Sequence, residues 1–95
     1  MTQIEEETMV EIVLIGSPKA ECVNCHQAVA RSKAYLETKN SSKYTLEVLL
    51  SNDPKVKKYG MISTPTIIVN NEIRSLGKAV NEEDIREIFS DYDLD

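Results

Sequence analysis

The sequence lacks any apolar run near the roughly 18 residues that a membrane-crossing helix requires, so no membrane span is expected. Positive charge is also in short supply. Eleven lysines and arginines stand against sixteen aspartates and glutamates, a net charge of −5, which argues against non-specific binding to nucleic acid or to an anionic membrane. With only two cysteines there is no framework of structural staples, and with a single histidine there is little material for a metal site. Repeats, linkers and low-complexity stretches are absent too. The first residues, Met1-Thr2-Gln3-Ile4-Glu5-Glu6-Glu7, are acidic where an export signal would be basic and then apolar, so a cytoplasmic protein is expected. Ninety-five residues with 41% hydrophobic content suit one domain spanning 1–95, with 1–8 and 91–95 as frayed ends. A chain of this size buries about two thirds of its unfolded surface, enough for one core and no second lobe.

The most informative stretch is Cys22-Val23-Asn24-Cys25, placed where an apolar strand gives way to a long helix. Residues at i and i+3 share a helix face one turn apart, so the two sulfurs can exchange electrons as dithiol and disulfide. The first turn of a helix has backbone N–H groups without intrahelical partners and carries the positive end of the dipole. Both favour the thiolate at Cys22, and the thiolate is the reactive form. In a reducing compartment a lone CxxC points to redox chemistry or metal binding before a structural staple.

Met9 to Ile15 is apolar except for Glu11, β-branched and closed by Gly16-Ser17-Pro18, which predicts a central strand buried on both faces. A loop over 17–21 leads into a helix from about Cys22 to Lys39, its inner face carrying Cys25, Ala28, Val29, Ser32 and Leu36 with Tyr35 beside them. Asn40-Ser41-Ser42 ends it. Lys43 to Leu50 alternates, with Tyr44, Leu46, Val48 and Leu50 on a buried face and Thr45 and Glu47 opposite. Asn52-Asp53-Pro54 starts a short helix that runs to Tyr59 and stops at Gly60, with Val56 and Tyr59 inward. Thr66-Ile67-Ile68-Val69 is a second strongly β run, turned back at Asn70-Asn71 into an edge strand over Glu72 to Leu76. Asn81 caps the last helix, with acids in its first turn, Val80 and Ile85 as a hydrophobic staple, and Ile88 and Phe89 on its buried stripe. Ser90 to Asp95 is expected to be a solvated acidic end. The order is β-α-β-α-β-β-α: an α/β fold in which a right-handed parallel crossover and a hairpin build a four-stranded mixed sheet with helices on both faces.

A strand running into a CxxC that opens a helix, with Thr64-Pro65 before a later strand, resembles the thioredoxin superfamily. By size the chain is similar to its glutaredoxin-length members, the small thioredoxin-like disulfide reductases of archaea and bacteria. The resemblance covers residues from about 9 to 90. It implies that Cys22 attacks a substrate disulfide, that Cys25 resolves the mixed disulfide, and that Pro65 is cis beside them. It also implies that the backbone of Thr64 can pair with an extended substrate segment as an added strand. The implied partners are disulfide-containing proteins and a flavin- or ferredoxin-linked dithiol reductase, with glutathione a weaker prospect. The protein would be a monomer and would need no cofactor beyond the Cys22–Cys25 disulfide.

Lys19, three residues before Cys22, matches a lysine that helps bind the glutathione carboxylate in glutaredoxins; its plainer reading is a solvated loop lysine. Around Leu76-Gly77-Lys78 there is one glycine where glutaredoxins have two and a nearby aspartate. Relative to thioredoxin, Glu21 replaces the usual Trp before the first cysteine and should oppose thiolate formation. The strand through Ile15 carries no inward aspartate to take the proton of Cys25, since Glu11 lies toward the wrong end. His26, when protonated, would add positive charge near the thiolate. The span Cys22 to His26 also spells the haem-attachment motif C-x-x-C-H, with Met61 as a conceivable axial ligand, but strand content and Thr64-Pro65 speak against it. Zinc would lack a fourth ligand, although metal or metalloid handling by the two thiolates stays open. The competing functional class is a thioredoxin-fold binding module whose cysteines act as a switch.

Overall fold

A computed structural model describes residues 9–95. The apolar run near the start forms β1 (Val10–Gly16), followed by α1 (Val23–Glu37), β2 (Tyr44–Leu50), β3 (Thr66–Val69), β4 (Glu72–Leu76) and α2 (Glu82–Phe89). The strands make one sheet in the order β2-β1-β3-β4. β1 runs parallel to β2 across the α1 crossover and antiparallel to β3, so it is interior, as its run of apolar residues around the single Glu11 suggests. Asn70 and Asn71 turn the β3–β4 hairpin with φ of 52° and 66°, values that asparagine tolerates better than most residues.

Strict alternation along β1 sorts side chains to two cores. Val10, Ile12 and Leu14 join Ile67, Val69, Ala28, Leu36, Val80, Ile85 and Phe89 beneath α1 and α2. Ile15 joins Ile68, Leu49 and Val56 on the other face. That second face is covered by Pro54–Tyr59, which folds as a 3-10 helix rather than an α-helix. Asp53 caps it by accepting from the Lys55 N–H, and Gly60 ends it at φ 82°. Five residues between a proline and a left-handed glycine leave room for a tight turn and little more.

Two expectations fail. The outward swing of β2 is the first: Tyr44 and Leu46 are covered, with the Tyr44 hydroxyl donating to Leu36 O at 3.0 Å, but Val48 and Leu50 are 43% and 48% exposed. The alternation is as read; what is missing is apolar bulk on the flank of α1 that faces that half of the strand. Leu49, on the opposite face, is the buried residue there.

The second is the acidic end. Expected to be solvated, it is tied back to the fold. Leu94 is buried in the main core and its carbonyl accepts from Asn40 N–H at 2.8 Å. Arg74 on β4 pairs with Asp91 and with the Tyr92 hydroxyl, which together raise its pKa. Lys39 pairs with Asp95 at 3.0 Å, and that bond raises its pKa above 10.5. The other expected frayed end, 1–8, lies outside the described residues. Among the described residues no helix is long and apolar enough to cross a membrane.

Candidate functional site

The C-terminal end of β1 delivers the chain into loop 17–21 and then into α1. The loop is held by backbone turns: Lys19 N–H donates to Ser17 Oγ at 3.1 Å, and Cys22 N–H to Lys19 O at 3.2 Å. Cys22 occupies the N-cap of α1 with no side chain capping the helix and no acid in its first turn. Cys25, one turn on, faces inward. The two are joined, Sγ–Sγ 2.15 Å and Cα–Cα 5.3 Å. Cys22 is partly exposed, whereas Cys25 is 3% exposed, and Val23 and Asn24 between them face solvent. The sulfurs therefore differ in access, and the accessible one sits at the polarised end of the helix.

Cys25 is packed on backbone. Ser17 N–H donates to its Sγ at 3.3 Å, and a methyl on Gly16 would come within 3.4 Å of its Cβ. Sequence reasoning passed over both residues, because a Gly-Ser pair after a strand reads simply as the start of a turn. Glu11 is at the far end of β1, where its N–H bonds the Asn70 side chain of the hairpin turn. No carboxylate of that strand can reach Cys25.

The Thr64–Pro65 peptide is cis. Thr66 pairs with Ile15, so one step further in the same register Pro65 falls across from Gly16, at the sheet end that holds the disulfide. Pro65 is buried and its carbonyl accepts from Gly77 N–H at 2.8 Å. Gly77 sits at φ 70°, and a Cβ there would lie 2.7 Å from that of Ser63. Glycine is required at this position by both backbone and space, a constraint that the sequence read only as a strand break. Thr64 is partly exposed beside this junction.

The remaining candidate residues lie on the loop and the first turns of α1. Lys19 and Glu21 are exposed on the loop. His26 Nε2 lies 3.0 Å from Ala20 O. A carbonyl only accepts, so Nε2 carries the proton in this contact and the ring ties the helix back to the loop. Its nitrogen is engaged with backbone, Met61 is 97% exposed, and the cysteines are bonded to each other, an arrangement that does not suit a haem held by C-x-x-C-H. Among the described residues, no three His, Cys, Asp or Glu side chains gather into a set able to hold a metal ion.

A cysteine pair of unequal access at a helix opening fits a thiol oxidoreductase. Comparison with individual curated proteins gives no match. A family model for the thioredoxin domain matches residues 8–90, nearly the whole chain, and the four-stranded mixed sheet with its helices agrees with that fold. The chain belongs to the thioredoxin superfamily.

Proposed function

We propose that the protein is a cytoplasmic, monomeric protein-disulfide reductase. In its reduced form the Cys22 thiolate attacks one sulfur of a substrate disulfide. A Cys22–substrate bond forms, and the other substrate sulfur leaves as a thiolate. Cys25 loses its proton and attacks Cys22 Sγ, which re-forms the internal disulfide and expels the second substrate thiolate. Two electrons pass from protein to substrate, and two protons follow through solvent. With no carboxylate of β1 in reach of Cys25, its proton leaves by water, and the Ser17 N–H steadies the sulfur as charge develops.

The observation that carries this reading is the contrast in access: Cys22 at the open helix end, Cys25 3% exposed behind it. On this reading Thr64 pairs with an extended substrate segment and Lys19 meets a carboxylate. Glu21 and, when protonated, His26 act in opposite senses on the Cys22 thiolate. A flavin- or ferredoxin-linked dithiol reductase restores the dithiol, with glutathione the weaker donor. No cofactor beyond the disulfide enters the cycle.

The test is reduction of bis(2-hydroxyethyl) disulfide and of a disulfide-bonded protein, with dithiothreitol as donor. Turnover by the unmodified chain and a stable mixed disulfide on Cys25→Ser, seen by mass spectrometry, are expected. If neither substrate is turned over while a double cysteine-to-serine variant still holds a protein partner, the chain is a binding module instead.

A further inference from the structure

On the side of the disulfide away from Pro65, the sheet and α1 leave a groove of about 340 Å³. Cys25, His26, Val29 and Lys33 line it from the helix, Val48 and Leu50 from β2. Alternation sends Val48 and Leu50 to the same face as Tyr44 and Leu46, but the flank of α1 above them offers only Val29, Ala30 and Lys33, too little apolar bulk to cover them. Two large apolar side chains thus stay about half exposed beside a redox sulfur. β2 is also an edge strand, and among the described residues no strand pairs with its outer rim.

The charge of the groove is unlike that of the chain. No aspartate or glutamate lines it; its titratable groups are His26 and Lys33, in a protein of net charge −5. The ten residues that line it are well short of the roughly 20–30 a side of a standard stable interface, which argues against a second copy as its occupant. A transient encounter with an extended chain needs much less area, and the free rim of an edge strand is what such a chain adds to.

We propose that this groove seats an extended segment of the substrate protein beside its disulfide, with apolar side chains on Val48 and Leu50 and a carboxylate on Lys33. The proposal rests on the reductase reading and names the class of substrate that reading leaves open: disulfides flanked by apolar and acidic residues.

The experiment uses two nine-residue peptides with a central cysteine bonded to 2-mercaptoethanol. Both carry leucine and valine next to the cysteine, and they differ in one flanking residue, aspartate or lysine. With dithiothreitol as donor, the unmodified protein is expected to favour the acidic peptide about fivefold in kcat/KM, through KM. Lys33→Glu should swing that ratio about tenfold toward the basic peptide. Val48→Thr with Leu50→Gln should raise KM for both. Lys57→Glu, an exposed change on the opposite face of the sheet, serves as the control and leaves the ratio where it was. Equal use of the two peptides, or a ratio indifferent to Lys33→Glu, overturns the groove while the reductase stands. A monomer–dimer shift in sedimentation on Val48→Asp also overturns it, in favour of a second copy. If bis(2-hydroxyethyl) disulfide and both peptides all go unreduced, the reductase reading falls and takes this proposal with it.

Discussion

The two α-helices begin in opposite ways. α2 is closed: Asn81 accepts from Asp84 N–H at 2.8 Å while the Asp84 carboxylate accepts from Asn81 N–H at 3.0 Å, and Glu82, Glu83 and Asp84 place three acids in the first turn. Val80 and Ile85 staple the entry from inside the core. α1 is open. Its N-cap is Cys22, whose side chain bonds a sulfur instead of the helix, and its first turn holds no acid. An N-terminus carries roughly half a positive charge. In α2 that charge is spent on stability, and in α1 it is left for sulfur. One chain thus shows what a capped helix gains and what an uncapped one keeps available.

Cys22→Ser breaks the contrast most severely. All disulfide turnover should disappear. Serine is also a good N-cap, so the variant should exceed the reduced unmodified protein in stability by about 0.5–1 kcal/mol in urea unfolding under reducing conditions. Loss of turnover without that gain would mean that the first turn of α1 is already satisfied. Asn81→Ala is the converse change. It should cost about 1 kcal/mol of stability and leave the midpoint potential of the Cys22–Cys25 couple, measured against glutathione, unmoved. A shifted potential would show that the closed helix also sets the chemistry.

Where local chemistry decides a feature, the sequence was enough to read it. The Asn70-Asn71 turn, the Asn81 cap and the buried face of α1 through Cys25, Ala28, Ser32 and Leu36 depend on residues a few positions apart. So did the CxxC at the helix opening. What escaped reading depends on distant partners. Leu94 is a lone apolar residue among acids, and nothing near it signals that Asn40 and the main core will take it in. The period of β2 was correct, but how far α1 would reach over Val48 and Leu50 depends on how two elements cross. Gly77 announced a break in the strand; that any side chain there would run into Ser63 is a fact of packing.

The mildest perturbation places an acid in the first turn of α1 and leaves both sulfurs in place. Asn24 is exposed, with Val23, between the cysteines, so Asn24→Asp disturbs no packing. A carboxylate there meets the positive end of the dipole and should stabilise the helix by about 0.3–1 kcal/mol. The same charge repels the Cys22 thiolate and raises the pKa of its thiol. At 1.36 kcal/mol per pKa unit, half a kcal/mol of repulsion lowers the thiolate fraction at neutral pH roughly twofold. Stability and reactivity should therefore move in opposite directions: a slightly higher urea midpoint and roughly half the alkylation rate of Cys22 by iodoacetamide. The effect on rate should fade in high salt, since an exposed charge pair is screened over about 10 Å at 0.1 M. If rate and stability rose together, the polarised end of α1 would not be what activates Cys22, and the contrast between the two helices would be one of capping alone.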